Sequence, residues 1–151
     1  PYENDFDAVV NLFTSFGFFD KEEENIQVIK EIHKVLKPGG KFLLDFENKF
    51  FFVYNDVFKH EKEWKEVDEM TKILLENKYD VINEREIFSA KFYVNEELVD
   101  EVGYNIRLYS YPEIKRILED NGFEILNHWG DYSSNMFSVK SNRLIILAQK
   151  V

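Results

Sequence analysis

Phe6-Asp7-Ala8-Val9-Val10, followed later by Leu36-Lys37-Pro38-Gly39-Gly40-Lys41-Phe42-Leu43-Leu44-Asp45, constrains the fold more than any other feature of the chain. Residues 6–13 are short, mostly apolar and bounded by polar residues and by Thr14-Ser15, which predicts a buried strand of a parallel sheet. Asp20, with Glu23 three residues on, predicts an acidic N-cap. Ile26, Ile29, Ile32 and Leu36 then recur at helical spacing, so one helix face is apolar. Pro38 cannot continue the helix, and Gly39 or Gly40 can take the left-handed conformation that turns the chain into a second buried strand. A phosphate cradle needs its glycines after a strand and before a helix. Here the order is reversed, so the glycine pair reads as the corner between helix and strand.

Strand, helix and strand in this order make a right-handed βαβ unit and a parallel sheet. Late in the chain, Ser110-Tyr111-Pro112-Glu113 has the form of a capping box, Ile114, Ile117 and Leu118 form a stripe, and Gly122 marks the stop. Residues 123–129 and 143–150 read as closing strands, antiparallel neighbours across a short polar link. The stretch between the two halves has another texture. Residues 59–70 are charged and predict a helix, whereas Phe88, Ala90, Phe92 and Val94, then Val102, Tyr104, Ile106 and Leu108, are apolar at every second position. An antiparallel ribbon turning at Asn95-Glu96-Glu97 is expected, with Asn105, Arg107 and Tyr109 on its other face.

Composition narrows the function. At 151 residues the chain fits one domain, burying roughly two thirds of its unfolded surface. A net charge of -10 repels a phosphate backbone, so no nucleic-acid partner is expected. The absence of cysteine removes disulfides, thiolate nucleophiles and thiolate metal sites. The apolar runs are far shorter than the ~20 residues of a membrane span, so no membrane partner and a cytoplasmic location are expected. His33, His60 and His128 are scattered, with no metal-ligand spacing on one helix, and no metal is expected. Neighbouring carboxylates such as Glu22, Glu23 and Glu24, or Glu61 and Glu63, read as solvated faces. The chain starts at Pro1 without an initiator Met and enters an apolar run at once, which suggests a fragment.

Taken in order, FDAVV, LKPGGKFLLD, the Tyr109-to-Phe123 stretch and the ending Ser141-Asn142-Arg143-Leu144-Ile145-Ile146-Leu147-Ala148-Gln149-Lys150 resemble the second half of the Rossmann-like S-adenosylmethionine-dependent methyltransferases. The resemblance spans nearly the whole chain. It implies an α/β fold: the C-terminal half of a Rossmann-like methyltransferase sheet, mixed with its last strand antiparallel, plus an inserted antiparallel β lid. Residues 1–48 and 110–151 would form the partial core, and 49–109 an inserted helix and sheet. The implied activity is methyl transfer from S-adenosylmethionine to a small-molecule acceptor by in-line displacement. The family's glycine-rich cofactor loop has no counterpart in this sequence, so the chain is expected to be inactive by itself. A non-catalytic binding or assembly module, a homo-oligomer through an exposed sheet edge, is the competing class.

The site expectations follow from where ligands bind in open α/β sheets, outside the carboxyl ends of the strands. Asn11, Leu12 and Phe13 end the first strand and are candidates for the cofactor, with Leu12 and Phe13 as core residues the alternative. Phe16 and Phe18, in the loop beyond, are candidates for the acceptor pocket, or core plugs. Asn48 and Asp45 end the next strand and are candidates for lining the far side of the cleft, Asn48 as a substrate-binding residue and Asp45 reading first as a satisfied structural carboxylate. Arg107 and Tyr109 are candidates for binding an acceptor carboxylate, against a salt bridge to one of the many acidic residues. Displacement at a sulfonium needs alignment and water exclusion more than a dedicated base, so no catalytic residue is assigned.

Overall fold

A computed structural model describes residues 2–57 and 61–151. The elements in chain order are β1 (Phe6–Asn11), α1 (Glu22–Val35), β2 (Leu36–Glu47), α2 (Lys49–Phe52) with a π-helical turn (Val53–Val57), β3 (Lys62–Glu66), β4 (Thr71–Asp80), β5 (Arg85–Val94), β6 (Glu97–Arg107), α3 (Tyr111–Asp120), β7 (Phe123–Trp129) and β8 (Arg143–Lys150). They form two four-stranded sheets, one ordered β1-β2-β8-β7 and the other the meander β3-β4-β5-β6. In the first, β1 and β2 are parallel, while β8 runs antiparallel to both β2 and β7, as the sequence predicted.

Alternation along β2 decides which face carries the core. Phe42, Leu44 and Phe46 point one way and are buried against Ile29 and Ile32 of α1, Ile114 and Leu118 of α3, and Leu144, Ile146 and Ala148 of β8. Both helices therefore cover one face of the sheet. The other face carries Leu43, Asp45 and Glu47 on β2 and Ala8 and Val10 on β1, of which Ala8 and Val10 are exposed.

The glycine pair lies inside a strand. Helix α1 ends at Val35, Leu36 is already extended, and between the pairs Phe6–Leu36 and Ala8–Lys41 strand β2 advances five residues while β1 advances two. Lys37-Pro38-Gly39-Gly40 is thus a bulge next to β1. Gly39 has φ +77, and a Cβ on Gly40 would lie 2.9 Å from the Lys37 carbonyl oxygen, so neither position suits a side chain. The start of α1 also differs from expectation: the N-cap is Lys21, without a side-chain cap. Asn25 tightens this entry instead, exchanging hydrogen bonds with the backbone of Phe19.

In the second sheet the ribbon β5–β6 forms as expected, with Asn95 and Glu96 at positive φ in its turn. The helix expected over 59–70 does not form where the chain is described: Lys62–Glu66 is strand β3, and Lys59 and His60 lie outside the described residues. Glu and Lys favour helix locally, but β3 is an exposed edge strand whose charges pair across the sheet, Lys62 Nζ lying 2.8 Å from Glu76 Oε1. Among the described residues no helix is long and apolar enough to cross a membrane.

Candidate functional site

The carboxyl ends of β1 and β2 meet at Asp45. Its side chain is fully buried and accepts from the Phe13 N–H at 3.0 Å, the Tyr132 hydroxyl at 2.7 Å and Arg143 Nε at 2.8 Å. Burial alone would raise this carboxyl, but the Arg143 guanidinium and the two other donors hold it below its usual range. Asp45 is therefore the satisfied structural carboxylate favoured from the sequence. Its hydrogen bond fixes the turn after β1, where Phe13 and Thr14 have φ values of 57 and 58. Thr14 ties the turn to β2 a second time, its N–H reaching the Asp45 carbonyl and its Oγ1 accepting from the Glu47 N–H at 3.1 Å. Ser15 Oγ lies within hydrogen-bonding reach of both Asn11 Oδ1 and the Leu12 carbonyl.

The same loop is fastened to the second sheet. Arg107 N–H donates to the Gly17 carbonyl at 2.9 Å, and Arg85 Nη1 donates to that of Phe19 at 3.0 Å. This junction encloses a cavity of about 260 Å³ lined by Phe13, Thr14, Phe18, Glu47, Tyr104, Ile106 and Arg143. A larger one, about 460 Å³, lies at Phe50, Phe51, Tyr54, Asn55, Val139 and Lys140, away from the strand ends. The smaller cavity is the better candidate, because it sits where open α/β sheets bind ligands and has one unusual ionisable group in its lining and a second held behind its wall residue Tyr104.

Those groups are Glu47 and Glu86. Glu86 pairs with Ile106 across β5 and β6, so its side chain shares a sheet face with Ile106 and Tyr104. It is 2% exposed; Oε1 accepts from the Tyr104 hydroxyl at 2.6 Å, and Oε2 has no hydrogen-bond partner among the described residues. Burial, then the negative charges of Glu86 and Asp56, push Glu47 up to about 7 against the pull of Arg143. Burial, with Asp56 adding to it, pushes Glu86 up to about 7 against the Tyr104 hydrogen bond. The Tyr104 phenol is raised in turn by burial and by Glu86. Its ring stacks on Phe88 at 5.1 Å and meets Phe18 edge-on at 6.3 Å.

Of the residues singled out in the sequence, Phe13 and Phe18 line this cavity, and Asn11 and Leu12 lead into it. The others lie elsewhere. Phe16 is buried in the core, its ring 5.2 Å from that of Tyr109. Asn48 caps α2 through its Oδ1 and donates to the carbonyls of Ser138 and Ser141, so its polar atoms are occupied. Arg107 points to the opposite face of β6 from Tyr104 and bridges Glu84 at 2.6 Å and Glu113 at 2.8 Å, the salt-bridge alternative. Tyr109 is buried and donates to Glu22 Oε2 at 3.0 Å. The sequence reading passed over Glu47 and Glu86. Period-two alternation along β5 and β6 could have put Glu86 beside Tyr104, but not beside Glu47.

No model of a known protein family matches the chain. Over 152 aligned residues, 99% of this chain, it is 26% identical to YqeM of Bacillus subtilis strain 168, whose description as a methyltransferase is provisional. The chain spans 60% of that relative's length. Among solved structures, the CcbJ methyltransferase of Streptomyces caelestis superposes with a TM-score of 0.81 at 15% identity, over 98% of this chain and 62% of that one. An S-adenosylmethionine-dependent methyltransferase of Clostridium acetobutylicum gives 0.80 at 18%, over 97% and 59%. CalS10 of Micromonospora echinaspora, an amino pentose methyltransferase solved with S-adenosylmethionine bound, gives 0.63 at 15%, over 97% and 59%. With nearly its whole length superposing on such neighbours, a mixed sheet and an antiparallel meander included, the chain has the fold of the Rossmann-like methyltransferases.

Proposed function

We propose that this chain forms the acceptor-binding part of an S-adenosylmethionine-dependent methyltransferase acting on a small molecule. One observation carries the reading: the cavity at the ends of β1 and β2 is walled on its far side by Tyr104 and Ile106 of the added sheet. That placement lets a ligand bridge the two sheets while water is excluded. The small-molecule acceptor has further support in the amino pentose named for CalS10.

The residues at the end of β1 fit one flank of the cofactor. The Asp45 hydrogen bond to the Phe13 N–H fixes that turn, and the Phe13 ring stands 76% exposed at the cavity wall. Asn11, Leu12 and Phe13 would hold the cofactor there, with Phe13 giving an apolar surface. When bound, the cofactor supplies an electrophilic methyl group. The chain's own residues align the acceptor and keep water out, through Phe18, Tyr104 and Ile106. The fold's remaining cofactor contacts come from parts without a counterpart in this sequence, so the chain alone is expected to be inactive.

Calorimetric titration of the whole encoded protein with S-adenosylmethionine, or with its demethylated product, tests the reading. Saturable binding that weakens in Phe13→Ala is expected, and a folded sample with no saturable binding overturns it. A non-catalytic assembly module is the second reading, favoured by β1 being an edge strand among the described residues, with Val10 60% and Phe6 40% exposed. Saturable cofactor binding would count against it.

A further inference from the structure

Glu47 in the lining of the cavity and Glu86, buried behind its wall residue Tyr104, have no role in the function proposed above. One oxygen of Glu86 is buried without a partner, which is costly unless something brought to the site satisfies it. The titratable groups that face the pair, taken element by element among the described residues, are the Asp56 carboxylate from the π-helical turn, the uncharged Tyr104 phenol from β6 and the Arg143 guanidinium from β8. Arg143 also lines the cavity and is ion-paired with Asp45, although its Nη2 has no aligned hydrogen-bond partner; against this one paired cation, ionised Glu47 and Glu86 leave the described groups of the cavity net negative. The cation that the described residues do not supply is not a metal ion in a ready-made cage: among them no three His, Asp or Glu side chains gather as ligands would. The rings of Phe18 and Tyr104 beside the carboxylates make a wall that suits an organic ammonium group. An acceptor carboxylate would be repelled here, and Arg107, the cation the sequence offered for one, lies on the other face of β6 between Glu84 and Glu113.

We propose that Glu47 and Glu86 form a two-carboxylate receptor for an amine-bearing small molecule, which binds as its ammonium ion and becomes the methyl acceptor after giving one proton to the pair. The proposal rests on the methyltransferase reading for its second half only. An N–H bond of the ammonium breaks, its proton goes to a carboxylate oxygen of Glu47 or Glu86, and the nitrogen keeps the electron pair. That pair forms the new N–C bond to the methyl group of a sulfonium donor, whose C–S bond breaks with its electrons left on sulfur as a thioether. The product is a methylated ammonium ion, and the proton held by the pair passes to water. Because burial pushes both carboxyls up to about 7, the pair takes up and releases a proton near neutrality. The Tyr104 hydroxyl keeps Glu86 ionised to lower pH than burial alone would allow.

Benzylamine and its neutral counterpart benzyl alcohol are suitable probes, titrated by calorimetry into the whole protein, the Glu47→Gln and Glu86→Gln variants, and Tyr104→Phe. Benzylamine is expected to bind the unaltered protein more tightly than benzyl alcohol, with affinity rising as pH passes through about 7. Each Gln variant should lose about tenfold in benzylamine affinity with little change for the alcohol. Tyr104→Phe keeps the ring and loses only the donor, so its binding profile should shift to higher pH. Equal binding of the two probes, or benzylamine binding unchanged in both Gln variants that circular dichroism shows to be folded, overturns the proposal. Cofactor titration on the same samples separates the two ideas. Amine selectivity without cofactor binding sinks the methyltransferase reading and leaves the receptor, whereas cofactor binding without amine selectivity sinks the receptor.

Discussion

At the scale of single residues, acidic side chains of one chemistry are set to different ends by what surrounds them. Asp45 is held ionised by Arg143, the Phe13 N–H and Tyr132 despite full burial. Asp45→Asn should cost about 3–5 kcal/mol in urea unfolding, because the Arg143 guanidinium would lose the buried carboxylate with which it is ion-paired at 2.8 Å. Glu47 and Glu86 are the reverse case. Each binds its proton more tightly folded than unfolded, so each stabilises the fold fully below the ordinary glutamate value of 4.5, and that contribution is lost as pH rises to about 7. The upper limit is about 3 kcal/mol per carboxyl at 1.36 kcal/mol per pH unit. Thermal unfolding followed from pH 4.5 to 7 should show this fall, and Glu86→Gln should flatten it. Both Glu47 and Glu86 are missing from the candidates read off the sequence, because in a chain with 29 acidic residues nothing local marks the two that will be buried. Asp45 could be named, since an acid closing an apolar strand is itself unusual.

At the scale of elements, local codes served where neighbours in sequence decide the conformation. Helix α3 begins with the expected Glu113 carboxylate accepting from the Ser110 N–H at 2.7 Å, and the β5–β6 ribbon turns where expected. Strand β3 did not follow its local code, since its pairing with β4 is a contact the composition of 59–70 does not encode. The loop from 12 to 19 also depends on a distant partner, the end of β6. Gly17 has φ +108, and a Cβ there would lie 2.4 Å from the Arg107 carbonyl oxygen. Gly17→Ala should therefore destabilise by more than about 1 kcal/mol and loosen the cavity wall at Phe18. Urea unfolding measures the first effect. The second should appear as faster amide exchange at Phe18 and Phe19.

At the scale of the whole molecule, the first sheet is covered unevenly. Helices α1 and α3 share one face, while Ala8 and Val10 are exposed on the other, next to the outer edge of β1, which pairs with no further strand among the described residues. Parallel strands are ordinarily covered on both faces, so this surface calls for more protein, either further sheet or a second copy. Light scattering of the 151-residue chain is expected to show association that grows with concentration, and Val10→Lys should shift it toward monomer. A monodisperse monomer at every concentration would show the bare face to be tolerated.

Periodicity and turn chemistry were enough to establish a βαβ unit, a late capped helix, two closing strands and an alternating ribbon, because each is set by residues a few positions apart. The resemblance built on their order then pointed to the fold. The position of the chemistry came only with tertiary structure. The pairing of β5 with β6 decides that Glu86 faces Tyr104 and that Arg107 faces away, and the fastening of the 12–19 loop to β6 brings Glu47 to the same cavity. Residues 47, 86 and 104 are far apart in the chain, and a carboxylate's proton affinity depends on burial and on the charges that reach it through space. The glycine pair illustrates the same division: its letters announced a turn, and only the pairing with β1 revealed a bulge within a strand.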